Sequence, residues 1–596
     1  MTHQQRIRQR MLMGLFMLVV IVPHPLRAQV TTEVVWQRCI GGSGLDWGTH
    51  LTGTSDGGFV AIGWSASTDG DATDNHGGND ILVTRLDANG GMLWRRSFGG
   101  SSEDYAYSCI EASDGSIMIA GHTYSIDGDV TQNQGSSDLW VFRLSPLGAI
   151  IWQHTYGGSG VEGGGEIQEV ADGGFVIHGF TASSDGDVVD LHPGGGSQDH
   201  WVVKIDASGA LEWNRALGGS SMDVGTELIH TTNGGFLMNF SYTASNDGDV
   251  TGNHGTEDCW LVKLSAAGSI EWSLTIGGSQ REFGSDVREL ANGDFMLLGN
   301  TTSDDGDIVQ SQGGSDVLLA KISGSGSLLW TRTFGGTGAD DCRSMAPTGD
   351  GGFVLAGSSS SIDGDVSSNL GERDVWALKV DANGAIIWQR SFGGTMDEWA
   401  FMEKGELGGY VLTGITYSND GAIMGGHGDR ELWLAKLDDT GDLAWQRCLG
   451  GSAEDWGYMQ AQTAGSGFVA YGYTDSNDGD VSGNHGGRDI WVVKLNVTEP
   501  TVPPECALYV PNAFSPNTSG KNDQHCVYGT ECVTSMTFNI YDRWGNKVFQ
   551  STGPETCWDG QYKGQLLDPA VFVYYLRATL RGGDTVERQG NLTLVR

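Results

Sequence analysis

Positive charge is what this 596-residue chain has least of: 34 Lys and Arg stand against 74 Asp and Glu, a net charge of −40. Such a field repels nucleic acid and anionic lipid and attracts cations. Residues 1–28 hold four Arg and no acid, and residues 505–596 are nearly balanced, so the acidity belongs to the segment between them. Long apolar runs are as scarce. The one from Met11 to Val22 follows Arg6, Arg8 and Arg10 and precedes Leu26-Arg27-Ala28. It is too short to span a bilayer comfortably and has the three parts of a secretory signal, with cleavage expected after Ala28. No other segment is apolar and long enough to cross a membrane, so an exported, soluble protein is expected. Helical periodicity is missing, and with it the G-x-S-x-G elbow, the H-E-x-x-H zinc helix and the Gly-rich phosphate loop that opens a helix. No catalytic residue is assigned. Nine Cys include no C-x-x-C pair, which weakens any zinc reading.

Glycine, by contrast, is abundant at 94 residues, about twice the usual share, so turns must be frequent. A tryptophan recurs at positions 36, 94, 152, 213, 272, 330, 388 and 445, at intervals of 57 to 61 residues. A fixed period of this length is the mark of a repeat architecture. Each unit holds four short strand-like runs, the first two joined by turns such as "SDGGFV" and the last two by "DANG" or "DASG", which are hairpin signals. Four antiparallel strands in each of eight units predict an all-β, eight-bladed β-propeller over residues 29–495. The ends test the count. Eight copies of the "DxWVVKL" strand exist, but the last, Asp489–Leu495, has no tryptophan strand after it, while "VVWQRC" at 34–39 has no unit before it. If that first strand completes the eighth blade, every edge is paired. Cys39 and Cys448 take matching places in repeats one and eight and are expected to be free thiols.

In such a meander the tight turns lie on one end of the blades, and the long second-to-third loop and the crossover on the other. The unusual chemistry falls on the second end. Seven loops carry Asp-Gly-Asp: Asp69 and Asp71, Asp127 and Asp129, Asp185 and Asp187, Asp247 and Asp249, Asp305 and Asp307, Asp363 and Asp365, Asp478 and Asp480. A further acid follows at Asp80, Asp138, Asp199, Asp258, Asp316, Asp374 and Asp489; repeat seven departs, with Asp420, Ala422 and Glu431. Clustered carboxylates around a bendable Gly suit a hard ion such as calcium, although the same residues build turns through side-chain to backbone bonds, and the spacing is not that of an EF-hand. His76, His192, His254, His427 and His485 share one place in this loop; blades hold them too far apart for one ion, so exposed loop histidines are expected.

Ten residues after each tryptophan stands an acid: Asp46, Asp104, Glu162, Asp223, Glu282, Asp340, Glu398 and Asp455. Trp47, Tyr105, Gly163, Val224, Phe283, Asp341, Trp399 and Trp456 come next. On an innermost strand these would ring the mouth of a central channel. The ligand-face candidates are the pairs Asp46–Trp47, Asp104–Tyr105, Glu282–Phe283, Glu398–Trp399 and Asp455–Trp456. Repetition in all eight units favours a capping role for the acid; the aromatics vary more and are the better ligand candidates.

A Pro-rich linker, 496–504, separates the repeats from residues 505–596, which read as a small Ig-like β-sandwich with turns between alternating strands. Cys506, Cys526, Cys532 and Cys557 crowd there, enough for two disulfides in any of three pairings. Pro511-Asn512-Ala513-Phe514, Pro516-Asn517, Asn522-Asp523, Arg543-Trp544-Gly545, Trp558-Asp559-Gly560, Tyr574-Tyr575 and the closing Gly590 to Arg596 resemble the gliding-motility-associated C-terminal domain, the type B sorting domain of the Bacteroidota type IX secretion system. The turn "NTSGKND" departs from that family's acidic "NGDGxND". The resemblance implies export through the Sec pathway and then the type IX machinery, with release or display at the cell surface. The blades more loosely resemble extracellular propeller repeats of such cargo. The expected function is a secreted or surface binding and adhesion protein whose partner is an extracellular glycan or a surface protein. Two other readings are a hydrolase or lyase acting on polysaccharide and a structural surface protein with no small ligand.

Overall fold

A computed structural model describes residues 31–192, 198–404, 409–462, 467–498, 508–516, 524–528, 530, 533–553, 557–580 and 585–595. The signal sequence expected at 1–28 and most of the linker lie outside these residues, as do Cys506, Cys532, Asn517, Asn522, Asp523 and Arg596. The described residues contain no helix. They form eight four-stranded antiparallel sheets and a separate C-terminal sheet.

Blade 1 consists of Asp46–Gly53, Phe59–Ser65, Asp80–Leu86 and Met92–Phe98, paired in chain order; we call these places strands a to d in every blade. Strands b and c are buried on both faces, "DILVTRL" along its whole length, because each sheet packs between two others. Strand d keeps an exposed side. At six of the eight junctions strand a of one blade touches that of its neighbour, Asp455–Gln462 of blade 8 touching Asp46–Gly53 of blade 1 among them, which places strand a innermost around a central channel.

The recurrent tryptophans are explained by glycine. In the c–d turn Gly90 has φ +76°, and a Cβ there would lie 2.4 Å from the ring of Trp36, which belongs to the preceding blade. The same meeting joins Trp94 to Gly148, Trp213 to Gly268 and Trp388 to Gly441. An indole thus covers the next blade's turn, and Trp94 Nε1 donates to Pro146 O at 2.9 Å.

Closure follows the predicted route. Thr31–Ile40 pairs with Asp489–Thr498 as the outer strand of blade 8. Trp491 Nε1 donates to Gln37 Oε1 at 3.0 Å, the bond Trp140 makes to Gln153 and Trp376 to Gln389 within their own blades. Blade 8 then meets blade 1 through Asp46 N–H donating to Arg488 O at 2.8 Å and through a shared core of Ile40, Leu51, Ile62-flanking Ala61, Tyr471 and Val492. Cys39 and Cys448 are free and buried.

The chain divides into two compact units, Thr32–Thr498 and one that contains Glu499–Arg596. In the latter, Ala513–Phe514, Thr585–Leu594, Ala570–Leu580, Val533–Tyr541 and Lys547–Ser551 form one five-stranded sheet in that order, its first pair parallel. Where a sandwich would place a second full sheet, the described residues show short pieces: the Gln561–Tyr562 and Gln565–Leu566 ribbon and single bridges between Tyr509 and Tyr528 and between His525 and Trp558. Phe514, Phe538, Trp558 and Leu592 fill the core beneath them, and a Cys526–Cys557 disulfide ties two of the pieces together.

Candidate functional site

The crossover acids are fully buried or nearly so, and each is a cap. Asp46 accepts the N–H of Gly42 at 2.7 Å and the hydroxyls of Ser65 and Ser67. Glu282 repeats this with Gly278 and Thr301, Asp340 with Gly336, Ser359 and Ser361, and Asp455 with Gly451, Thr474 and Ser476. Asp104, Glu162, Asp223 and Glu398 follow suit. Asp46, Asp104, Glu282, Glu398 and Asp455 thus build the crossover turns, and of their oxygens only Asp104 Oδ1 has no hydrogen-bond partner.

The strand c acids are buried as well. Asp80 accepts the backbone N–H and Nδ1 of His76, at 2.7 and 2.9 Å, and His192, His254 and His485 hold Asp199, Asp258 and Asp489 alike. His76, His254, His427 and His485 are exposed and His192 is half-buried, and each is engaged with a carboxylate of its own loop. Burial works against charge on His76, but the bond to Asp80 and the surrounding acids outweigh it and raise its pKa. At every blade junction a strand c acid also meets the next blade's crossover acid. A Cβ on Gly99 would lie 2.6 Å from an oxygen of both Asp80 and Asp104. Gly157 stands likewise between Asp138 and Glu162, and Gly335 between Asp316 and Asp340. Oδ1 of Asp80, Asp138, Asp199, Asp258, Asp316, Asp374 and Asp489 has no hydrogen-bond partner. Burial lifts Asp80, Asp138 and Asp489 to about 6, and two adjacent buried carboxyls are relieved when one keeps its proton.

The calcium set does not converge. Asp69, Asp127, Asp185, Asp247, Asp305, Asp363 and Asp478 point outward and accept the N–H of Ser43, Ser101, Ser159, Ser220, Ser279, Thr337 and Ser452. Those bonds hold Asp69 below the usual carboxylate range. The second acids face other partners: Asp71 pairs with Arg95, Asp187 and Asp365 accept from Gln134 and Gln312, Asp249 and Asp307 lie near His192 and His254, Asp480 pairs with Arg447, and Asp129 accepts weakly from Gly99 N. Among the described residues no three His, Cys, Asp or Glu gather as an ion would require. The three acids of a loop, with Asp80, Asp138, Asp199, Asp258, Asp316, Asp374 or Asp489 as the third, do not fit a common calcium.

The aromatic candidates do converge. Trp399 and Trp456 lie 5.2 Å apart between ring centroids, Trp456 and Tyr473 6.0 Å, Tyr473 and Trp47 4.4 Å, Trp47 and Trp64 6.0 Å and nearly parallel, and Trp64 and Tyr105 5.8 Å. Tyr105 leads on through His122 to Tyr107 and Tyr124. All stand at the crossover end of blades 7, 8, 1 and 2. Guanidinium groups sit over them: Arg343 over Trp399 at 5.6 Å, Arg430 over Trp456 at 4.5 Å, Arg488 over Trp47 and Tyr473 at 5.0 and 3.9 Å. In a chain so poor in cations, this arc gathers several. Tyr473 is buried, whereas Trp47, Trp64, Trp399 and Trp456 are half-buried and Tyr107 and Tyr124 exposed. Phe283 is apart, against Tyr242.

The channel wall was not legible in the sequence. Strand a carries a bulge in seven blades, blade 7 being regular. The residue after the bulge turns sideways to accept a backbone N–H of the next blade: Glu227 from Val287 at 3.0 Å, Asp286 from Met345 at 2.8 Å, Ser344 from Met402 at 2.7 Å. Arg288 bridges Glu227 and Asp286. Burial, with the neighbouring acid, drives Glu227 up, and burial alone drives Asp286 up despite Arg288. The one sequence signal was an acid at a position that other repeats fill with Ser, His or Met.

Residues 508–594 match the family described as CHU_C, a type IX secretion signal domain. This segment is the C-terminal sheet described above, and it marks the chain as cargo for type IX export. No curated protein matches the chain. Solved structures similar to it include a mutant apocarotenoid oxygenase of Synechocystis (12% identity, covering 72% of this chain and 96% of that one, TM-score 0.33), the Pan2 WD40 domain of Neurospora crassa (8%, 65% and 88%, 0.32) and puromycin hydrolase (11%, 74% and 60%, 0.37). Likenesses this distant carry no argument about function.

Proposed function

We propose that the exported propeller is a binding and adhesion module that captures extracellular polysaccharide on the arc of Trp399, Trp456, Trp47, Trp64 and Tyr105. The observation that supports the reading is the continuous run of half-buried rings with guanidinium groups between them. Flat aromatic faces stack on the apolar faces of sugar rings, and the arginines offer donors to hydroxyls. Arg430 and Arg488 also share Glu454, which holds the guanidinium groups in place over Trp456, Trp47 and Tyr473. Substituting Ala at Trp47, Trp399 or Trp456 is expected to weaken binding on a glycan array by about tenfold or more while the ring still melts cooperatively. An unfolded variant would show these rings to be core.

A second reading is favoured by one feature. Half-buried Glu227 and buried Asp286 form a carboxyl pair, bridged by Arg288, whose pKa values are raised, as a general acid requires. A hydrolase or lyase would release reducing ends or unsaturated sugars from a polysaccharide panel and lose that activity in Glu227→Gln; binding without product leaves the first reading in place.

A further inference from the structure

Eight copies of one unit serve as their own control, and blade 3 departs from the other seven at three places that meet in space. At the second residue of strand c, blade 3 has His200 where the other blades have apolar side chains such as Ile81, Leu139 and Val317. At the fourth residue of strand b it has His178, where blades 1, 2 and 5 have Ile62, Ala120 and Leu298. On strand a it reads Glu162-Gly163-Gly164-Gly165-Glu166, where blade 1 has Trp47-Gly48-Thr49 and blade 2 Tyr105-Ala106-Tyr107 at the three central places. The result is a cavity of about 600 Å³ that reaches from His50 of blade 1 and Tyr107 of blade 2 to blades 3 and 4, where Glu166, His178, Phe180, His200 and Thr226 line it.

The glycines are its windows. A Cβ on Gly165 would lie 3.4 Å from Nδ1 of His178, and one on Gly225 would lie 2.4–2.6 Å from the His200 ring. Both imidazoles are deeply buried, 6% and 4% exposed; neither nitrogen of His178 and not Nε2 of His200 is hydrogen-bonded, although His178 Nε2 lies 3.8 Å from Glu166 Oε2. An unpartnered buried nitrogen lowers stability in a way that an apolar residue does not; blade 4 carries such a group in Asn239 at the place of His178, but blade 3 alone brings two imidazoles to the cavity. Burial holds His200 well below its ordinary pKa, so it is neutral and offers one donor and one acceptor.

We infer that this cavity is a binding site for one neutral sugar ring, the terminal residue of the polysaccharide held on the arc; the inference rests on the binding function proposed above. The volume suits a mono- or disaccharide. Glu166 and the Thr226 hydroxyl supply an acceptor and a donor for hydroxyls, Phe180 and Tyr107 supply flat apolar faces, and the imidazole nitrogens, closed to solvent, reach a hydroxyl only when the rings turn toward the cavity. The lining contains no Lys or Arg, so an anionic sugar has no counter-charge. Tyr107 also packs on His122, which links the cavity to the arc.

The test uses the full chain with free glucose, galactose, mannose, fucose and N-acetylglucosamine, read by saturation-transfer NMR. Gly165→Thr installs the residue that blade 1 has at Thr49, and the double variant His178→Ile with His200→Ile installs those of Ile62 and Ile81. Wild type is expected to bind at least one of these sugars, and each variant to lose it by at least tenfold, the double variant with a higher melting temperature. Trp399→Ala should keep free-sugar binding and lose polymer binding. Sugar binding that is unchanged in both cavity variants overturns the inference and leaves the arc standing; sugar binding confined to the cavity, with polymer binding indifferent to Trp399, does the reverse. No sugar bound by wild type, or zinc alone bound by wild type and not by the double variant, also overturns it.

Discussion

The residue that recurs most faithfully in this molecule is a carboxylate out of solvent. Asp80, Asp138, Asp455 and Asp489 sit at about 6 in the folded ring, against about 3.9 in an unfolded chain. A folded pKa above the unfolded one means that the folded state holds the proton more tightly. The contribution is complete below about pH 4 and is lost as pH rises through about 6. His76, also raised, changes in the same direction. The melting temperature is therefore expected to fall between about pH 5 and pH 7.5 in scanning calorimetry, with a shallower fall in Asp80→Asn; a rise across that window would show the pairs to be ionised. Further down the sign reverses, because Asp56 and Asp114, held at about 2 by hydrogen bonds, then lose their charge. The departure of repeat seven is matched by one in blade 6. Gln134 and Gln312 reach Asp187 and Asp365 of the following blade at 2.7 and 3.0 Å. Blade 6 has Leu370 in the glutamine's place, and blade 7 has Ala422 in the acid's: both halves of the clasp are missing together. Leu370→Gln with Ala422→Asp should show a favourable coupling of about 0.5–1 kcal/mol in a double-mutant cycle, neither change alone being stabilising.

At the scale of elements, the decisive strand is the first. Thr31–Ile40 belongs in sequence to no unit and in space to blade 8, where Gln37 takes the place of Gln153 or Gln389 beneath a strand c tryptophan. Its removal would bare the backbone edge of Asp489–Thr498 and uncover Gly90. A chain that starts after Ile40 is expected to aggregate on concentration and to melt at lower temperature, and a synthetic peptide of residues 31–40 should restore both in light scattering and calorimetry. The strands themselves were easy to foresee, since turn chemistry and β-branched runs are local. The bulges of strand a were not. They arise because Glu227, Asp286 and Ser344 gain a neighbour's N–H, and the neighbour lies some 60 residues away in the chain.

The whole molecule consists of two units with separate tasks. The C-terminal unit matches a type IX secretion signal domain, and deletion of residues 505–596 is expected to leave the propeller in the periplasm, checked by fractionation and surface proteolysis; surface delivery of the truncated protein would refute the assignment. The ring binds, on the proposal made here, and its asymmetry is what makes that proposal specific: rings crowd blades 7, 8, 1 and 2, while blade 3 is opened by glycine. By itself the sequence determined the period, the four strands of each unit, the number of blades, the strand that closes them and the export signal, because hairpin turns, tryptophan spacing and signal motifs act over a few residues or repeat at a fixed interval. Only the tertiary structure decided which acids cap turns and which meet in pairs, which rings form one arc and where a cavity opens, because each of these depends on two blades facing each other, and burial, not residue type, settles what a carboxylate or an imidazole does there.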